Sequence, residues 1–141
     1  MDGYRVLAMA GALMAGMVYP VAAQAPRMPL LALDQLETGL WQLDVKGKPP
    51  RQICMTDPMV FIQLEHTAPS CSRFVIQNDP RTATVHYSCN AAGWGRTTVH
   101  LDTARVAQID TQGILGKAPF QYSVEARKIG PCPTLVTSGS K

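Results

Sequence analysis

The sequence predicts a mainly β protein: an antiparallel meander of about seven strands forming a curved sheet or partial barrel, with one short helix from about Pro58 to His66 and two disulfides. Three observations lead there. Apolar and polar residues alternate with the period of a half-buried strand in segment after segment beyond Gly39. Turn-forming residues separate those segments at hairpin-like spacing. Cys54, Cys71, Cys89 and Cys132 follow an N-terminal stretch with the pattern of an export signal, and an oxidising compartment favours pairing an even set of cysteines.

A chain of 141 residues is long enough for one domain with a real core. Its first element is the signal: Arg5 opens an uncharged apolar run from Val6 to Tyr19, followed by Pro20 and the small residues VAAQA. The run falls short of the ~20 residues a membrane-spanning helix needs. Cleavage is expected after Ala23, because a cut after Ala25 would place Pro26 beside the bond. No cysteine stands near the cut to take a lipid. Residues 1–23 are therefore expected to be a signal peptide, 24–29 a flexible leader, 30–133 a single β-rich domain and 134–141 a loose tail. No stable membrane insertion is expected after cleavage, and the location is expected to be periplasmic or secreted.

Within the domain, Leu30, Leu33 and Leu36 have the spacing of a short helical turn that Gly39 ends. In GLWQLDV, Trp41, Leu43 and Val45 alternate with Gln42 and Asp44, a strand with one buried face. RQIC is a second short strand. In TDPMVFIQLEH, Asp57 suits an N-cap and Pro58 the first helical position, which predicts the helix. His66 at its end would meet the C-terminal dipole. CSRFVIQ and TATVHYSC flank NDPR, where Asp79 and Pro80 suit a type I turn. RTTVHLD, RVAQID and APFQYSVEAR complete the meander, the last with Phe120, Tyr122, Val124 and Ala126 facing the core.

The stretch CNAAGWGRTT raises the question of a chemical site. Gly95, Arg96 and Thr97 imitate the end of a phosphate-binding loop, but Asn90 stands where the earlier glycine should be, Arg96 replaces the lysine, and a strand follows instead of a helix. A hairpin turn at Gly93 and Gly95 is the expectation. Pairing the strands around Gly93 would set His86 opposite His100, with Asp102 on the same face. These three are the only candidates for a metal site, but the same register turns Val85, Tyr87, Cys89, Val99 and Leu101 to the core and the two histidines to water, so a solvated pair and no metal are expected. Serines lack an elbow motif and carboxylates are dispersed, so no catalytic residue and no cofactor is expected. The net charge of +3 comes from singly scattered arginines without a basic stripe, which speaks against nucleic acid.

Two kinds of partner remain. Trp41 and Trp94 are candidate contacts for a ligand or an envelope protein, while Trp41, Phe74, Tyr87, Phe120 and Tyr122 could line a cup for a small apolar ligand, as in a lipocalin-like carrier. The same side chains could simply fill the core. For the disulfides, Cys54 with Cys71 and Cys89 with Cys132 is the favoured pairing. The competing one lets the NDPR hairpin set Cys71 against Cys89 and leaves Cys54 for Cys132.

The signal, GLW, ICMTDP, CSRFVIQ, HYSC with its Gly-rich turn, and ARKIGPC occur in an order that resembles the bacterial exported proteins catalogued as domain of unknown function thirty-six-seventeen. The likeness runs from about Leu33 to Cys132. It implies a periplasmic or secreted, four-cysteine β-rich domain of Gram-negative bacteria, and it brings no activity and no site residues. The function expected is that of a non-catalytic binding or envelope-associated module, with the apolar-ligand carrier as the alternative.

Overall fold

The period-two alternation of GLWQLDV is realised as a strand, β1 (Gly39–Val45), with Trp41 and Leu43 buried and Gln42 and Asp44 on the opposite face. The remaining strands are β2 (Arg51–Met55), β3 (Ser72–Asn78), β4 (Thr82–Ser88), β5 (Gly93–Thr103), β6 (Val106–Leu115) and β7 (Ala118–Gly130), of which β5 and β6 keep the same alternation most fully. This computed structural model describes residues 28–67 and 70–134; the expected signal peptide, most of the leader and the tail from 135 lie outside the described residues. Among the described residues no helix is long and apolar enough to cross a membrane.

All seven strands form one antiparallel sheet in the order β2-β1-β7-β6-β5-β4-β3. The meander from β3 to β7 pairs neighbour with neighbour, and β1 adds to the far side of β7. β2 and β3 are the two edges and do not meet, so the sheet is unclosed. Its inner face carries Trp41, Leu43, Ala83, Val85, Tyr87, Val99, Leu101, Ala107, Ile109, Val124 and Ala126, all buried. An unclosed sheet needs a cover for such a face. Two irregular segments supply it: Leu30, Leu33 and Leu36 around a 3-10 turn at Leu33–Gln35, and Phe61, Ile62 and Leu64 after a 3-10 turn at Pro58–Phe61.

The second segment is where a helix was expected, and the structure shortens it to that single turn. Its start is as predicted, since the Asp57 carboxylate accepts from the Met59 N–H at 2.9 Å and Pro58 opens the turn. The helix stops because its residues are needed one after another in the core. Phe61, Ile62, Gln63, Leu64 and His66 are all buried, which no single helix face can achieve. The Ile62 carbonyl, which a continuing helix would use internally, accepts instead from the Thr97 hydroxyl of β5 at 2.8 Å. His66 therefore serves no helix dipole.

The Gly93 turn is also corrected. The chain reverses at Cys89–Ala92, where Asn90 takes positive φ, and Gly93 and Gly95 already belong to β5. His86 consequently faces Arg96, and His100 faces Thr82. The shift is even, so every side chain keeps its expected face. The glycines have a steric task. Tyr87, Gly95, Gly113 and Phe120 form one cross-strand row, and a Cβ on Gly95 would lie 2.3 Å from the Tyr87 hydroxyl oxygen. On Gly113 it would lie 2.1 Å from the Trp94 carbonyl oxygen and 2.9 Å from the Phe120 ring. Two rings thus occupy the space that two missing side chains leave.

The disulfides follow the competing pairing, Cys54–Cys132 and Cys71–Cys89, and overturn the favoured one. Register explains both. Ser72 faces Ser88, so Cys71 and Cys89 continue the β3–β4 hairpin by one pair, with Cα atoms 4.2 Å apart. Cys54 faces Leu40, which in turn faces Gly130, so the residues just beyond β7 reach β2 across β1.

Two outcomes follow from this packing. Gly95→Ala should lower unfolding free energy by about 2 kcal/mol or more through overpacking against Tyr87, whereas Gly130→Ala, with nothing within 4 Å of its Cβ position, should leave the denaturation midpoint nearly unchanged. In the chain-entropy account, removing Cys54–Cys132, which spans 78 residues, should cost about 4.5 kcal/mol, and removing Cys71–Cys89, which spans 18, about 3. Urea unfolding of the two paired Cys→Ser variants checks that order.

Candidate functional site

The inner face is filled by the protein's own side chains. Trp41 and Tyr87 are both 0% exposed there. Trp41 packs edge-on against Phe61 at 5.2 Å, and its indole N–H donates to the Glu37 carbonyl at 3.0 Å. It is therefore a core residue and no contact for a partner. Phe120 and Tyr122 are half-buried on the same face, but Phe74 is 68% exposed on the outer face and lines no cup. His66 fills the position a ligand would need. Its imidazole contacts both Tyr87 and Phe120, with Nδ1 at 3.1 Å from the Tyr87 hydroxyl and Nε2 at 3.0 Å from the Ala92 carbonyl. Because a carbonyl can only accept, Nε2 carries the proton, and the Tyr87 hydroxyl donates to Nδ1 in the neutral ring.

Beside Tyr122 lies a cavity of about 140 Å³ between Leu43, Val45, Lys48, Arg51, Glu65 and Val124. That is below the roughly 300 Å³ at which small-molecule sites begin. Three of its polar groups, Lys48, Glu65 and Tyr122, are engaged with one another. The Tyr122 hydroxyl donates to Glu65 Oε1 at 2.5 Å, and the Lys48 ammonium stands 5.3 Å over the Tyr122 ring.

The outer face is different in kind. Trp94 is 39% exposed, and its ring stacks on His86 with centroids 5.5 Å apart and planes 29° from parallel. Trp94 faces Ile114 on β6 and Ser88 on β4. Two residues further along, on the same face, His86, Arg96, Gln112 and Gln121 form a row across four strands, and Phe74 extends that row onto β3. The next row holds Thr84, Thr98, Asp110 and Ser123. There Thr84 and Thr98 share a 3.0 Å hydrogen bond, and the Ser123 hydroxyl donates to the Asp110 carboxylate. An open depression of about 540 Å³ lies over Arg96, Thr98, Asp110, Gln112, Gln121 and Ser123. Among the described residues, the side chains of Arg96, Gln112 and Gln121 have no hydrogen bond or ion pair.

The candidate metal ligands are not brought together. His86 and His100 are four residues apart along their face, about 13 Å at the rise of a strand. His86 is committed to Trp94. His100 sits 3.1 Å from the Thr82 hydroxyl and 3.8 Å from the Asp102 carboxylate, an exposed pair. Among the described residues no group of three His, Cys, Asp or Glu is placed to hold a metal ion.

Two features were missed in the sequence. The His66 site could not be found, because only the broken helix brings it inside. The Arg96, Gln112 and Gln121 row could have been found. The two-residue turn at Gly116 and Lys117 sets Gln112 opposite Gln121, and alternation puts both on the wet face.

Burial pushes the Tyr87 phenol up to about 12, helped by the nearby Glu65 charge. Tyr122 is raised further, first by burial and then by its hydrogen bond to the Glu65 carboxylate. In the unfolded chain both ionise near pH ~10. Their contribution to stability is therefore complete below that pH and is lost as pH climbs towards the folded values. In protein that begins at Gln24, Tyr87 and Tyr122 are the only tyrosines. Tyrosinate absorbance should thus stay absent at pH ~10 and appear together with loss of the β-sheet circular dichroism. Tyrosinate formed at pH ~10 in folded protein would contradict the burial of both rings.

No family model, curated protein or solved structure matches this chain.

Proposed function

We propose that this chain is an exported, non-catalytic binding domain that acts in the cell envelope and meets its partner with the outer face of β3 to β7 around Trp94. The observation that carries the proposal is the pairing of a half-exposed tryptophan, held flat against His86, with a neighbouring row of uncommitted polar side chains. Surface aromatics cost free energy to leave in water, and a stacked ring loses little further freedom on binding. The two disulfides belong to an oxidising compartment outside the cytoplasm. The motif order that resembles the four-cysteine exported family supports the periplasmic or secreted placement. The carrier alternative has less support, since His66 and the Phe61 segment already take up the inner face.

Cell fractionation tests this reading. Full-length protein made in a Gram-negative host should partition with the envelope fraction, and Trp94→Ala combined with Arg96→Ala should move most of it to the soluble periplasmic extract. Both forms should retain the same disulfides and the same circular dichroism. Identical fractionation of the two forms would remove the outer face from the proposal.

A further inference from the structure

Resting on the outer-face reading above, we propose that the partner is a neutral, hydroxyl-rich glycan chain, bound across β5, β6 and β7. The choice follows from which groups are uncommitted and how they are spaced. Arg96, Gln112 and Gln121 face one another in register, so three planar hydrogen-bonding side chains stand in line at strand spacing, roughly 4.8 Å. A guanidinium donates through several N–H groups, while each amide both donates and accepts. Adjacent sugar hydroxyls also donate and accept, and their neighbouring oxygens match the two arms of an amide or guanidinium. A row that repeats at this spacing can engage successive units of an extended chain.

Trp94 supplies the complementary part. The axial C–H groups of a pyranose ring form an apolar face, and an indole presents a flat apolar surface with a negative π cloud to receive it. Trp94 lies two residues along β5 from the row, on the same face, and its stacking on His86 fixes the plane it offers. Beyond the row on the other side, the Asp110 carboxylate and the Thr98 and Ser123 hydroxyls add acceptors and donors around the same depression.

Charge narrows the class. The depression holds one guanidinium, Arg96, and one carboxylate, Asp110, and no second cation lines it. A phosphate-bearing ligand or nucleic acid would meet that carboxylate and would find one cation where phosphate contacts draw on several. A protein partner would have to bury the Asp110 carboxylate together with the row, whereas acidic residues are depleted at the centres of protein interfaces. The depression is open along the sheet, which suits a chain lying across it.

The test uses purified protein beginning at Gln24, with its disulfides intact, and chitotetraose, cellotetraose and maltotetraose as probes. Trp41 is buried, so any change in tryptophan emission reports on Trp94. At least one probe should shift that emission and perturb the side-chain amide resonances of Gln112 and Gln121. Gln121→Ala should weaken the response about tenfold, equivalent to about 1.4 kcal/mol, and Trp94→Phe should retain more binding, by the amide resonances, than Trp94→Ala. Inorganic phosphate should produce no shift. The glycan assignment is overturned if no tetrasaccharide perturbs Trp94 or the two amides at millimolar concentration, or if binding persists undiminished in Trp94→Ala. If all glycans fail while envelope association still depends on Trp94 and Arg96, the binding face stands and the glycan is the part that falls.

Discussion

An unclosed sheet cannot bury its own inner face, and the rest of this structure depends on how that need is met. The chain covers the face with short irregular segments whose side chains enter the core in succession. Phe61 meets Trp41, the Ile62 carbonyl takes the Thr97 hydroxyl, and His66 reaches between Tyr87 and Phe120. Each contact lies against a different strand, from β1 at one side to β4 at the other. Buried polar groups are tolerable there because they are satisfied: no buried side-chain nitrogen or oxygen among the described residues lacks a partner. The covering segment therefore joins the sheet through directional bonds as well as apolar burial.

Much of the sheet was legible from side-chain alternation and turn residues, and the reasons differ by element. β1 runs over the residues expected of it, because Trp41, Leu43 and Val45 alternate with polar neighbours and no tertiary contact opposes that period. The helix from Pro58 failed because N-cap chemistry is local, whereas the demand to bury five of six consecutive positions is not. The hairpin before β5 was misplaced because glycine signals a turn by default. Here Gly95 and Gly113 make room for rings, a task that appears only once strands are paired. The disulfides needed the same information: Cys71 and Cys89 are partners through the β3–β4 register and not through their spacing alone.

The candidate site was legible in part. Trp94 stood out as a tryptophan beside a reversal, and alternation put His86, His100 and Asp102 on the wet face, where they are found. Trp41 was indistinguishable from Trp94 as a contact until its burial was known. The two faces now have separate chemistries. Inside, phenols and an imidazole are bonded to fixed partners, which makes them parts of the architecture. Outside, a row of amides and a guanidinium has no fixed partner, which leaves its hydrogen bonds to solvent or to whatever binds.

The two disulfides differ in more than the length of chain they enclose. Cys71–Cys89 closes a hairpin whose residues arrive close together during synthesis. Cys54–Cys132 joins an edge strand to the segment beyond the last strand. The first bridge can therefore form as soon as β3 and β4 have paired, and the second must wait until β7 has arrived and β1 has docked beside it. Until then Cys54 is a free thiol on an unsecured edge, exposed to wrong partners. The order of arrival thus makes Cys54–Cys132 the later bridge, one that records completion of the sheet where Cys71–Cys89 records only a hairpin.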